Sequence, residues 1–389
     1  MGFLARTVRR TILCGSALLF GCGGRTALIS QLAPGTSGEA VSWSACFPIG
    51  TSAPVVTNAD SPSLAFTGRV LLMAYESYSS PPGVGLAVLR PDGVLTDTVA
   101  IRGDGSPKVT YHAALDTAVV LADSGVTWLD GLGKVAGDSA VDGTTYGPDV
   151  MPTPEGFLGL CPAANDAKSD PIRYAPIEAN PKPPNWQVLD SGGPFSVVHS
   201  EDDLGYGKWI VSWKWTGTPY RLFEVASPAP LAVRTLDSRL PEVAGGGEFE
   251  ALFEDGGLLY GIFGGVLQGT DQQWGMWLVD LTISATASWR LDRSPNGPDA
   301  AVLRLGSDLV LASSAIHPDS RMSIAQLRPG NPEPLEGLQV LGGEGKLSRS
   351  ASLALTPQGF AVAWWEGTHI GESIRLQLFD CRVRPTPSP

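Results

Sequence analysis

Seven apolar runs, each introduced by a turn-like residue, recur along the chain at nearly constant intervals, and this period constrains the fold more than any other feature. They are VLLMAYE from Val70, AVVLAD from Ala118, FLGLC from Phe157, WIVSWKW from Trp209, LLYGIFG from Leu258, LVLASSA from Leu309 and FAVAWWE from Phe360. Their starts lie 48, 39, 52, 49, 51 and 51 residues apart, so five of six intervals fall in a narrow band. A fixed period of this size means that one supersecondary unit is repeated, and that neighbouring units bury one another's faces.

Each run has matching flanks. A short strand precedes it, as in PSLAF, KVTYHAA, FEALFE and ASLALT. A third strand follows, as in VGLAVLRPDG, WGMWLVDLT and SIRLQLFD, and a weaker fourth often comes next, as in DTVAI, NWQVLD, LAVRTLD, ASWRLDR and GLQVLGG. The runs are continuous with little alternation, which suits strands covered on both faces, and helical 3.6-residue periodicity is absent. The 47 Gly and 32 Pro are scattered as turn signals with no three-residue period, which fits many short strands and excludes collagen. Four short strands per unit of about fifty residues is the pattern of a β-propeller blade. The expected fold is all-β, a seven-bladed β-propeller over residues 46–384, with six or eight blades as the alternative counts.

The last copy runs out at CRVRPTPSP without a fourth strand, leaving an edge that must be covered. PVVTNADSPSLAF from Pro54 resembles VAIRGDGSPKVTY from Val99, where a fourth strand runs into the first strand of the next blade. Residues near Ser52 to Thr57 are therefore expected to complete the seventh blade. That register puts Cys46 just before the closing strand and Cys381 just after its neighbour, so the two are expected to form a disulfide clasp. Cys161 lies inside the third run and reads as an inert buried thiol.

The first residues, MGFLARTVRRTILCGSALLFGCGG, have a basic start, a short apolar run and then small residues around Cys22. An apolar run this short does not span a bilayer, and the pattern is that of a signal peptide. Leu19, Phe20, Gly21 and Cys22 resemble the bacterial lipobox, which implies acylation of Cys22 after removal of residues 1–21. Gly23 carries no Asp-type retention signal, so the resemblance implies an outer-membrane lipoprotein facing the periplasm or the cell surface. Residues 22–45 read as a flexible tether, and 385–389 as a disordered tail.

LADSGVTW, Leu121 to Trp128, resembles the Asp box of sialidase-like propellers through Asp123, Gly125, Thr127 and Trp128, with Leu121 in place of the usual Ser. The box is structural in that family, so it implies a blade turn and no catalysis. His112, His199, His317 and His369 fall in separate copies without metal-ligand spacing. HSEDDLG clusters Glu201, Asp202 and Asp203 in a solvated turn. Nucleophile-elbow, phosphate-loop, dinucleotide and EF-hand motifs are absent, so no catalytic residue, cofactor or metal site is expected. A formal charge of −12, without a basic patch, argues against nucleic acid and leaves the lipid anchor as the sole membrane contact. The expectation is a monomeric binding or scaffolding module with a protein or carbohydrate ligand at a propeller face. A carbohydrate-active enzyme, a glycoside hydrolase or lyase, is the alternative, since carboxylates drawn from separate blades leave no linear motif. Adjacent Trp364 and Trp365 form either a sugar platform or core. Aligning the runs by their first apolar residue places Trp365 with Tyr75 and Phe263, and Trp364 with Trp213 and Ile262, which favours core.

Overall fold

The computed structural model describes Trp43 and residues 46–141, 147–161, 172–190, 195–201, 206–214, 221–225, 232–234, 243–267, 275–281, 288–291, 299–331, 333–368 and 372–382. The leader, Cys22, most of the tether and the C-terminal tail lie outside the described residues. Within these, the chain is all-β: 28 strands form seven separate four-stranded antiparallel sheets, arranged as a seven-bladed β-propeller. Six blades take four consecutive strands each. Blade 1, for example, is Ala59–Phe66, Leu71–Ser77, Gly83–Leu89 and Leu95–Ile101 in spatial order. The first strands of neighbouring blades pack on one another at all seven junctions, including Ala59–Phe66 against Leu347–Thr356, which closes the ring.

Blade 7 is assembled from both ends of the chain. Its inner three strands are Leu347–Thr356, Gly359–Gly367 and Ser373–Asp380, and the outermost is Phe47–Thr57, antiparallel to Ser373–Asp380. The closing strand begins earlier than Ser52, at Phe47, and pairs Phe47 with Asp380 and Thr57 with Ser373. It is largely exposed, as are the outer strands Leu95–Ile101 and Val135–Ala140, because an outermost strand has no neighbour on its far edge. Cys46 and Cys381 are joined by a disulfide just beyond this pairing, across a sequence separation of 335. Trp43 adds to the closure: its ring stacks near Phe360, with centroids 6.2 Å apart, and its backbone N–H donates to the Asp308 carboxylate at 2.7 Å.

The core is divided among the junctions. One apolar cluster lies between each pair of adjacent blades, so every second strand is buried on both faces, as the continuous apolar runs require. Leu72 and Ala74 face blade 2, whereas Leu71, Met73 and Tyr75 face blade 7. Tyr75 fits because the facing position on the third strand is Gly85, where a Cβ would lie 2.2 Å from the phenol ring. The hairpins need glycine for backbone reasons too: Gly256 and Gly257 adopt φ of +58° and +81° between Asp255 and Leu258, a geometry that side chains resist.

Inner strands of adjacent blades share no backbone ladder, and side chains bridge them instead. The Ser352 hydroxyl of blade 7 accepts the Leu64 N–H of blade 1 at 2.9 Å, and Ser63 of blade 1 accepts the Val109 N–H of blade 2 at 3.0 Å. At the hairpin end, buried His112 of blade 2 bonds the Thr153 carbonyl of blade 3 through Nε2 at 2.8 Å.

Trp364 and Trp365 are both core, at 0% and 3% exposure. Their repeat alignment needs correction by one residue. Trp364 packs in the cluster shared with blade 6, the side that Tyr75 and Phe263 occupy in their own blades. Counting from the two-residue hairpins Thr67 to Val70 and Thr356 to Gly359 puts Trp364 at the place of Tyr75 and Trp365 at that of Glu76. The apolar runs start one residue out of phase, and with a period of two such a slip moves every side chain to the opposite face.

Opening the clasp tests the closure. Replacing Cys46 and Cys381 together with Ser is expected to destabilise the ring by up to about 5 kcal/mol or slightly more, the loop-entropy ceiling for so long a loop. Thermal melts should show a fall of at least several degrees; equal melting temperatures for wild type and the double variant would remove the disulfide from the account.

Candidate functional site at the seam of blades 7 and 1

The inner strands on either side of the closing seam carry the same irregularity. Each has a bulge, between Asp60 and Ser63 in blade 1 and between Arg349 and Ser352 in blade 7. In each the bulged residue is a serine with positive φ, Ser61 at +49° and Ser350 at +55°. Serine rarely adopts this conformation, and bulges re-aim the neighbouring side chain. Asp60-Ser-Pro-Ser63 and Arg349-Ser-Ala-Ser352 thus match residue for residue, and Asp60 and Arg349 hold equivalent places in adjacent blades. The two meet as an ion pair through Arg349 Nη2 and Asp60 Oδ2. The pair is unequal: the Asp60 side chain is 5% exposed and that of Arg349 40%.

Around the pair lie polar groups from three blades. Glu76 sits directly opposite Asp60 on the second strand of blade 1 and is hydrogen-bonded to Tyr78, a residue 40% exposed. Asp104, in the connection to blade 2, is within electrostatic reach of Glu76 and accepts the Ser124 hydroxyl. Ser106 donates to Ser61 at 3.2 Å. On the blade 7 side, the Arg349 guanidinium lies over the Trp365 ring, 4.4 Å from its centroid, in a cation–π contact. On the far face of the same blade, buried Glu366 accepts the Gly343 N–H at 2.6 Å and pairs with Arg375, which fixes the end of the second strand.

Burial pushes the Glu76 carboxyl above the ordinary carboxylate range, the Asp60 and Asp104 charges adding to the rise while Tyr78 and Arg349 oppose it. Burial together with the Glu76 and Asp60 charges pushes the Tyr78 phenol up to about 12. This end of the seam, the mouth, therefore gathers Asp60, Glu76 and Asp104, of which Asp60 is matched by Arg349 and Glu76 holds its proton more tightly than an ordinary carboxyl. It can offer charged and neutral oxygens, a guanidinium and an aromatic edge to a ligand.

Sequence-predicted residues fall elsewhere. The register places Cys46 and Cys381 at the hairpin end of blade 7, beside Phe47 and Gly359, whereas Arg349 and Trp365 are at the other end. Asp123 occupies a turn between Thr117–Ala122 and Gly125–Asp130, with its N–H donating to the Asp104 carbonyl at 3.0 Å. Trp128 is fully buried and donates to the Glu178 carbonyl at 2.8 Å, so the Asp-box-like turn is structural. Burial raises the Cys161 thiol above its ordinary range, which leaves it unreactive. His199 bonds Asp149 at 2.5 Å and His317 lies beside Asp319, three and one blades from the seam respectively, and they are not brought together. His369, Asp202 and Asp203 lie outside the described residues. Among the described residues no group of three or more His, Cys, Asp and Glu is placed to hold a metal ion, and no helix is long and apolar enough to cross a membrane. Asp60, Glu76 and Arg349 were missed by motif reasoning, though opposite charges at one repeat position in adjacent blades were there to be found.

No protein-family model and no curated protein matches the chain. Its similarity is to solved structures. The periplasmic gluconolactonase of Pseudomonas aeruginosa aligns with a TM-score of 0.50 and 14% identity, over 73% of this chain and 86% of that one. A hydrazine synthase chain of Kuenenia stuttgartiensis aligns at 0.49 and 15%, over 82% and 95%. A quinonprotein alcohol dehydrogenase-like protein of Bacteroides thetaiotaomicron aligns at 0.45 and 10%, over 73% and 66%. At 14% identity the likeness to the gluconolactonase supports the propeller fold alone.

Two substitutions probe the seam. Arg349→Ala strands a buried carboxylate and is expected to cost about 2 to 3 kcal/mol, whereas Asp60→Ala leaves a half-exposed guanidinium that water can solvate and costs about 1. Equal losses in chemical denaturation would refute the unequal burial. For Glu76, a raised folded-state value means that stability is complete below the unfolded carboxyl range and falls as pH rises through the folded value. Glu76→Gln should therefore be more stable than wild type at pH 8, with the gap closing towards pH 4.

Proposed function

We propose that this chain is an extracytoplasmic lipoprotein, acylated at Cys22 and held at the outer membrane, whose propeller binds a ligand or partner at the mouth between blades 7 and 1. The observation that carries the choice of mouth is the Asp60 and Arg349 pair, held by matched bulges with positive-φ serines. Residues in sparsely populated backbone regions cost about 1 to 3 kcal/mol each and persist where the surroundings impose them, most often at ligand sites. The lipobox-like LFGC supports the anchor. The Cys46–Cys381 disulfide lies at the hairpin end of blade 7, and the Asp60 and Arg349 pair at the opposite end.

One observation favours the second reading, a carbohydrate-active enzyme. Asp60 and Glu76 are cross-strand neighbours in different electrostatic settings, and such pairs supply acid and base in glycoside hydrolysis. Asp60 is nevertheless nine-tenths buried beneath Arg349, which suits a positioning group better than one that must reach a substrate.

Both parts of the proposal are measurable. Labelled fatty acid should enter wild-type protein and not Cys22→Ser; equal label in both would exclude the anchor. A photo-cross-linking amino acid at Tyr78 should give a discrete adduct in cells, and one at Val188, exposed on the outer strand of blade 3, should give none. No adduct at position 78, or equal adducts at both, would move the binding face away from this mouth.

A further inference from the structure

The hairpin end of blades 7, 1 and 2 presents apolar side chains to solvent at matched places. Each outermost strand starts where the third strand ends, and there Phe47, Leu95 and Val135 stand opposite Asp380, Leu89 and Leu129. Each has an apolar companion close in sequence, Ile49, Val94 and Leu132 respectively. Six of the twelve large apolar side chains exposed among the described residues are thus gathered at one end of three consecutive blades, with Phe47 at 59%, Val94 at 50% and Leu132 at 55%. Exposed apolar residues scattered singly need no explanation, but a placement repeated blade after blade asks for a cause. The three places form one rim. Turn 90–94 of blade 1 lies on blade 7, since a Cβ at Gly93 would stand 3.1 Å from Leu378, the cross-strand partner of Ile49. The corresponding turn of blade 2 lies on blade 1, where a Cβ at Gly133 would meet Leu72 at 2.7 Å and Val88 at 2.9 Å.

Charge is balanced between these tips, in a chain of formal charge −12. Arg69 pairs with Asp116 across blades 1 and 2, Arg90 with Asp92, and Arg382 with Asp380, while Lys134 shares a turn with Asp130. These turns therefore carry no net negative charge to repel an anionic lipid surface. The course of the chain points to that occupant. Cys46 is bonded to Cys381 beside Phe47, and Trp43, seated on Phe360, lies 21 residues after Cys22. At no more than about 3.6 Å per residue, an acylated Cys22 stays within about 75 Å of Trp43, which holds the propeller near a bilayer without choosing the side that faces it. The tips make that choice. A rigid protein partner needs a hollow for each protrusion, whereas a headgroup layer yields to separate tips, takes their apolar side chains at the acyl boundary and hydrates the charged pairs between them. We infer that the hairpin end of blades 7, 1 and 2 rests on the lipid surface that holds the anchor, with Phe47, Val94 and Leu132 in the headgroup layer. This rests on the acylation of Cys22, and it adds a surface contact where the sequence left the anchor as the sole one. The mouth, at the opposite end of blade 7, then faces away from the bilayer.

The test uses the purified acylated chain in vesicles of phosphatidylethanolamine and phosphatidylglycerol that include a lipid spin-labelled near the glycerol end of its acyl chain. Val94→Cys, Leu132→Cys and Leu347→Cys each carry an environment-sensitive fluorophore, and Cys161, being buried, stays unlabelled. Leu347 is as exposed as Val94, at 50%, but stands opposite Gly367 at the other end of blade 7, so it controls for any pull of the fluorophore itself. Emission at positions 94 and 132 should shift to the blue and fall to about half or less through lipid quenching, and emission at 347 should do neither. With fatty acid present on Cys22, equal signals at all three positions, or no quenching at 94 and 132, would overturn the contact and leave the anchor standing. A blue shift at 94 and 132 without quenching would put protein on the tips, a second copy or a partner, and would overturn the contact too. A chain that takes no fatty acid at Cys22 would remove the anchor reading and the contact with it.

Discussion

Everything in this fold hangs on the pairing of Phe47–Thr57 with Ser373–Asp380. A four-stranded blade buries its faces only against its neighbours, and the seven apolar clusters sit one per junction, so no blade has a core of its own. Chain connectivity supplies six of these junctions through short loops. The seventh joins residues more than 280 positions apart in sequence, as in the Ser352 to Leu64 hydrogen bond, and nothing local enforces it. Strand exchange and the Cys46–Cys381 bond tie the N-terminal segment that leads into blade 1 to blade 7, and Trp43 seats on Phe360 in the neighbouring cluster shared with blade 6. Loop-closure entropy makes a contact of this sequence separation the costliest to form, which accounts for a covalent fastening at this point.

The two ends of the closing blade have taken different tasks. At the hairpin end the contacts are apolar and covalent, with Phe360 and Phe379 stacked 4.6 Å apart between Trp43 and the disulfide. At the other end the same strands carry ionic and aromatic groups on a bent backbone, and buried donors lack partners. Strain and unmet polarity there are tolerable because the hairpin end holds the strands in register. On the proposed function, a seam held in register in this way would leave little ordering to be done on binding.

Much of the architecture was legible in the sequence because it depends on pattern. The period of the apolar runs specified blades, the missing fourth strand of the last copy pointed to the N-terminus, and that register brought Cys46 to Cys381. The site was harder to read. Asp60, Glu76, Tyr78 and Arg349 belong to no linear motif and come from strands at opposite ends of the chain. Their signal, opposite charges at one position of the repeat, appears only when inner strands are aligned on their serines. The alignment on apolar residues failed by one position at Trp364 and Trp365, because an unbroken run buried on both faces gives no alternation from which to take the phase. The hairpin turns carry that phase. LADSGVTW, by contrast, drew notice as a motif and is a turn, with Trp128 in the core.

The dependence of the whole ring on one junction is open to direct measurement by hydrogen exchange before and after reduction of the Cys46–Cys381 disulfide. If the seam fastens the ring, reduction should speed exchange in Phe47–Thr57 and in Ser373–Asp380, and also in the inner strand Ala59–Phe66 of blade 1, which packs across the seam. Faster exchange confined to Phe47–Thr57, with the inner strands on both sides of the seam unchanged, would show that the closing strand is an ornament and would contradict the account.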